Sequence, residues 1–208
     1  MPRQGTPSYN LSFTAASLRP ELMRIAAEIF LVCGDWDEAK RRILATNAFQ
    51  CRASRSAARL ELELRQRLQL LTLSQLHLLA KASAEDRAAV SWLAVCKRSA
   101  FLRDFAAGLL RDKLEAHDPV LRRSDYESYL ELQTIAHPSL GTVTPSSKAK
   151  IRQVLFKMVQ EAGLTSRGGS SIQIHRPALS PTVSHTVLAD DPLWLSIFLV
   201  PDHEILRP

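Results

Sequence analysis

From Ser54 to Leu71, Ala57, Leu60, Leu64, Leu68 and Leu71 recur at spacings of three and four. At 100° per residue those positions fall on one side of a helix and leave a polar remainder on the other. A chain carrying such a stripe must bury it, and the neighbouring segments supply more helices to do so. Ser17 is expected to cap a helix through Cys33, with Pro20 in its first turn and Gly34 ending it. Asp35 has the character of an N-cap for the next segment, anchored by Trp36, Ile43 and Leu44. Thr72 with Gln75, and Ser83 with Asp86, have cap spacing for two more. "AVSWLAVCKR" should be largely buried through Trp92, Leu93, Val95 and Cys96, and "FLRDFAAGLLRDKL" forms a further amphipathic helix. Only seven glycines interrupt the 208 residues, so the expectation is a mainly α protein with a compact N-terminal helical bundle over residues 1–119.

After Pro119 the pattern changes. Ser124 with Glu127 resembles a capping box for a short helix, and Thr144-Pro145 opens a longer one closed by Gly163. "SRGGSS" follows, then "IQIHR" with strand character, a helix starting at Ser180-Pro181, and "WLSIFLV", again with strand character. Asp190-Asp191 before Pro192 reads as a turn. Helix, turn, longer helix and two short strands is the order of a winged helix-turn-helix variant. Residues 120–208 are therefore expected to form a small helical unit with a short β-hairpin.

Charge is concentrated rather than spread. The net charge is +6, and Lys40 to Arg67 alone hold eight cations against Glu61 and Glu63. Ser146 to Arg167 hold five cations against Glu161. In the helix opened by Thr144, Ile151, Val154, Leu155, Met158 and Ala162 share one side, while Lys150, Gln153, Lys157 and Gln160 share the other. Lys148 and Arg152 flank the apolar edge. Arg52, Arg55 and Arg59 lie on one face of the earlier helix, opposite much of the leucine stripe. Lys and Arg on such faces can hold phosphates, and Arg and Gln can also reach base edges. The candidate nucleic-acid contacts are Lys40, Arg41, Arg42, Arg52, Arg55, Arg59, Lys148, Lys150, Arg152, Gln153, Lys157 and Arg167.

Catalytic patterns are missing. The six histidines (77, 117, 137, 175, 185 and 203) are dispersed, with no HxxxH. There is no GxxxxGK[ST] loop and no GxGxxG. Cys33, Cys51 and Cys96 sit far apart in apolar helical contexts, as buried inert thiols do. "DHE" at Asp202 to Glu204 is expected to be solvated at a frayed C-terminus, and "MPRQGTPSYN" reads as a loose arm without a secretory signal. No apolar run is long enough for a membrane span. The expectation is a cytoplasmic protein, a monomer favoured over an oligomer, that binds nucleic acid, needs no cofactor or metal and is not an enzyme. A protein-interaction scaffold or an RNA binder is the alternative.

Several segments together resemble one family. "YNLSFTAASL", "GDWDEAK", "WLAVCKR" followed by "FLRDFA", and "KIRQVLFKMVQEAGL" are similar, in order along nearly the whole chain, to BrxA, an accessory component of the bacterial BREX phage-exclusion system. The resemblance implies a helical fold related to the antitermination factor NusB, a place in antiviral defence beside other BREX components, and binding to double-stranded DNA. It carries over no defined set of contact residues.

Overall fold

The longest apolar stripes in the sequence do become helices. In the computed structural model, which describes Tyr9 and residues 11–166 and 171–205, a 3₁₀ turn at Ser12–Ala15 leads into α1 (Pro20–Cys33). Then come α2 (Trp36–Ala45), α3 (Ser54–Leu68), α4 (Leu73–Lys81) and α5 (Ala84–Arg98). A continuous helical run follows as α6 (Ala100–Asp104), a π-helical stretch (Phe105–Leu110) and α7 (Arg111–Glu115). Beyond β1 (Val120–Leu121) lie α8 (Arg123–Ala136), a 3₁₀ turn (Pro138–Thr142) and α9 (Pro145–Glu161). The chain ends with β2 (Ile172–Gln173), α10 (Pro181–Leu188), a 3₁₀ helix (Pro192–Phe198) and α11 (Asp202–Ile205). The "MPRQGTPS" part of the expected N-terminal arm and Arg167 to Ser170 of "SRGGSS" lie outside the described residues.

Local capping follows the sequence at most helix starts. Asp35 accepts from the N–H groups of Asp37 and Glu38, and Thr72 and Gln75 form a reciprocal capping box. Ser83, Thr144 and Ser180 cap α5, α9 and α10 in the same manner. Gly34 closes α1 at φ 70° and donates to the Phe30 carbonyl, a left-handed geometry that glycine adopts without a Cβ penalty. α5 is the centre of the bundle. Trp92, Leu93, Ala94, Val95 and Cys96 are all buried, so the middle of this helix is enclosed on every side, with its charged residues at the two ends. The Trp92 indole donates to the Ile197 carbonyl at 3.0 Å, which joins α5 to the C-terminal 3₁₀ helix.

Four expectations are corrected. Ser17 does not cap α1. Arg19 occupies the cap position in a left-handed conformation, because the carbonyls of Ala16, Ser17 and Leu18 are drawn onto the buried Arg67 guanidinium. Ser124 lies inside α8, whose start is held by the Asp125 carboxylate accepting from the Arg122 N–H at 2.7 Å. "WLSIFLV" is a 3₁₀ helix rather than a strand. Asp191 accepts from the Leu193 N–H and Pro192 pre-sets the first helical φ, which settles an apolar run too short to show its own period. α11 is tied down instead of frayed: Asp202 pairs with Arg111 at 2.6 Å and Glu204 with Arg176 at 2.8 Å.

"IQIHR" does supply a strand, with partners on both sides. β2 pairs antiparallel with β1, Val120 opposite Gln173 and Leu121 opposite Ile172. On its other side Ser166 donates to the Gln173 carbonyl and His175 to that of Leu164, a short hairpin directly after α9. Of the thiols, Cys96 is fully buried, whereas Cys33 and Cys51 are partly exposed, and Cys51 sits in the α2–α3 loop rather than a helix.

The three tyrosines gather around the α6–α8 contact. Tyr129 donates to the Phe101 carbonyl, the Tyr126 hydroxyl is buried without a partner, and Tyr9 stacks on His137. Burial pushes Tyr9 and Tyr126 up to about 12 and Tyr129 further, all above the ordinary phenol value of 10.0. The fold therefore favours the protonated phenols. That contribution is intact below pH 10.0 and is withdrawn as the pH rises through about 12. Titration of the native protein at 295 nm should show no phenolate near pH 10, with ionisation arriving together with unfolding; a tyrosine ionising near 10 in the folded protein would contradict this packing.

Candidate nucleic-acid interface

The first basic surface is built where α2 hands over to α3. Asn47 and Gln50 take left-handed conformations in the connecting loop, at φ 47° and 52°. The Asn47 amide bonds both the N–H and the carbonyl of Cys51, and the buried Phe49 ring anchors the loop beneath. This fixed turn delivers Arg52 to the start of α3. Ala53 stands at the N-cap of this helix, which therefore has no side-chain cap and no acid in its first turn, so its N-terminal partial positive charge is left unopposed by a nearby carboxylate of its own. Leu44, Asn47, Cys51, Arg52, Ser54 and Arg55 line a shallow groove of about 600 Å³ there. Arg59 is exposed one turn further along α3.

Cations that count alike in the sequence differ in the structure. Arg65 pairs with Glu61 at 2.7 Å and Arg67 with Glu63 at 3.0 Å, and both carboxylates are buried. Arg67 is fully buried and works inside the fold, so the leucine stripe shares its helix with an ionic one. Burial holds the Arg67 guanidinium below its ordinary value, opposed by the Glu63 carboxylate. On α2, Arg41 and Arg42 are exposed but both are held by Glu38, at 2.5 and 2.9 Å. The hydrogen bond that Arg42 donates to Glu38 keeps its guanidinium above its usual value. Among the described residues, Lys40, Arg52, Arg55 and Arg59 have no carboxylate within ion-pair distance.

The second surface is α9. Its buried side carries Ile151, Val154, Leu155, Met158 and Val159, which leaves Lys150, Gln153 and Lys157 exposed and Lys148, Arg152 and Gln160 partly so. Lys148 and Lys150 are free of carboxylates among the described residues, and Lys150 reaches only the Gln153 side chain at 3.4 Å. Two further cations of this helix are engaged by acids. Arg152 lies 3.4 Å from Glu127 of α8, and Lys157 lies 3.8 Å from Glu161, which also accepts from the Leu18 N–H. The last candidate, Arg167, falls outside the described residues. Asn47 and Ser54, absent from the candidate contacts, line the groove with Arg52 and Arg55. An Asn four residues before a loop Cys is the faint signal for the turn that places them.

The fold and these surfaces define a small, mainly helical protein with two cation-bearing faces. Among the described residues no group of three or more His, Cys, Asp or Glu is placed to hold a metal, and no helix is long and apolar enough to cross a membrane. The chain belongs to the BrxA family, whose family model matches residues 7–191. It is 28% identical over 140 residues to the BREX protein BrxA of Escherichia coli O9:H4 (strain HS), an alignment covering 67% of this chain and 66% of that one. It is 24% identical over 157 residues to the BREX protein BrxA of Paramagnetospirillum magneticum (strain ATCC 700264 / AMB-1), covering 76% and 79% of the two chains. The crystal structure of an uncharacterized protein from Magnetospirillum magneticum shares the fold at a TM-score of 0.80 and 20% identity, over 93% of this chain and 98% of that one.

Proposed function

We propose that this chain is a non-enzymatic accessory component of a BREX phage-defence system, acting in the cytoplasm by holding double-stranded DNA through its phosphates. The observation that carries the reading is a group of cations without a carboxylate partner among the described residues: exposed Lys40 on α2, exposed Arg52, Arg55 and Arg59 at the start of α3, and exposed Lys150 with partly exposed Lys148 on α9. A paired surface arginine has spent much of its field on its own acid, whereas a free one keeps it for counter-ions that a phosphate can displace. Membership of the BrxA family and relatives named BREX protein BrxA supply the defence context.

Phosphate contacts position a protein on DNA and carry no base information. Gln153 is the exposed amide on α9 beside Lys150 able to add a base contact. A competition shift assay tests the reading. Labelled duplex bound by the full chain should be displaced by unlabelled duplex of unrelated sequence, and much less well by single-stranded DNA or by RNA of equal length. Preferential displacement by RNA would replace DNA with RNA as the ligand, and failure to retard duplex at low salt would remove the nucleic-acid reading altogether.

A further inference from the structure

Between α8 and the π-helical stretch Phe105–Leu110 lies a groove of about 710 Å³, opposite in charge to both basic faces. Small residues contribute to its lining, Ala107 and Gly108 from the π-helical stretch and Ser124 and Ser128 from α8. A Cβ built on Gly108 would meet nothing within 4 Å, so the groove is open above that residue. Its edge is apolar. Leu132, which lines it, is 63% exposed, and Ile135, one turn further along α8 and outside the groove lining, is 80% exposed, although large apolar side chains of a helix are normally turned to the core. A π-helical turn inserted in an α-helix is itself a feature that recurs at functional sites.

The charge of the groove is the reverse of the molecule's. Its three charged lining residues are all aspartates, Asp104, Asp112 and Asp125. Arg103 shares Asp104 at 2.7 Å and Lys113 shares Asp125 at 3.1 Å, while Asp112 is exposed with no ion pair among the described residues. Glu131, exposed beside Leu132, is also without one. Apolar side chains flanked by carboxylates on a protein of net charge +6 favour one kind of occupant. We infer that this groove docks a basic amphipathic helix of a partner protein, its leucine-like face over Gly108 and Leu132 and its cations towards Asp112 and Glu131. Such recognition uses apolar anchors at helical spacing, with charge fixing orientation and excluding acidic helices.

The probe is a synthetic amphipathic peptide of leucine and lysine, about 14 residues and so roughly 21 Å long as a helix. Fluorescence anisotropy with the full chain should show saturable binding, although protein and peptide both carry net positive charge. A scrambled peptide of the same composition and an amphipathic leucine/glutamate peptide should not bind. Gly108→Phe, which fills the groove from a position with open space above it, and Leu132→Ser, at an exposed site, should each weaken binding by about tenfold or more. Asp112→Lys should weaken it and remove part of its salt dependence. Circular dichroism and melting temperature verify the folds, and the exposed Leu132 site keeps the test valid if Gly108→Phe fails to fold. Absence of saturable binding, equal binding of the scrambled peptide, or unchanged affinity in folded variants would overturn the proposal. So would self-association of the wild type that Gly108→Phe abolishes, which would put a second copy of this chain in the groove.

Discussion

Arg67→Ala is expected to cost about 3–5 kcal/mol of unfolding free energy, the scale for leaving a buried charge without its partner. The side chain is fully buried and makes four connections at once: to the Glu63 carboxylate at 3.0 Å and to the carbonyls of Ala16, Ser17 and Leu18. Removing it leaves a carboxylate that is 6% exposed with only the distant Arg98 guanidinium, at 3.9 Å, and frees the segment that enters α1. Replacing buried ion pairs by apolar residues is often neutral in other settings. Here the double change Glu63→Leu with Arg67→Met should recover only part of the loss, because three main-chain carbonyls still lack their donor. Arg67→Lys should also fall short, since a single ammonium cannot match the planar fork of the guanidinium. Urea denaturation of the three variants checks the order; a loss below about 1 kcal/mol for Arg67→Ala would mean that the surrounding chain re-satisfies its groups without the arginine.

That same arginine marks where the sequence stops being readable. Stripes and caps depend on neighbours three or four residues apart, so α3, the Thr72/Gln75 box and the caps at Asp35, Ser83, Thr144 and Ser180 are legible from residue order alone. The pairs Glu61–Arg65 and Glu63–Arg67 also have i,i+4 spacing, which is enough to discount two cations from the first cluster. Their burial has no local signal, because it depends on the N-terminal segment packing against α3. Arg152 with Glu127 lies further still from local rules, joining two helices across 25 residues of sequence. "WLSIFLV" misleads for a different reason: its apolar run suits strand and helix equally, and the decision rests with Asp191 and Pro192 at its start. The basic character of both surfaces is thus legible in the sequence, while the division between free and engaged cations is not.

The free cations set the second large effect. Replacing Arg52, Arg55 and Arg59 together with alanine should leave the fold intact, because all three are exposed and none holds a carboxylate among the described residues. The same holds for Lys148 and Lys150, and for Lys157, whose contact with Glu161 at 3.8 Å is long and solvent-exposed. Each triple variant should weaken duplex binding across all sequences, since each phosphate contact contributes to affinity without reading a base. Arg41→Ala with Arg42→Ala should do less per charge removed, because both guanidinium groups already answer to Glu38.

Duplex affinity measured as a function of salt is the most direct test, because its slope counts phosphates. With about four to six phosphates neutralised by the wild type, log K against log salt should fall with a slope of about −4 to −5. Each triple variant, shown to be folded by circular dichroism, should flatten that slope by about 2 to 3, near 0.9 for each phosphate no longer neutralised. A wild-type slope near zero, or slopes unchanged in both folded variants, would contradict DNA binding through these faces.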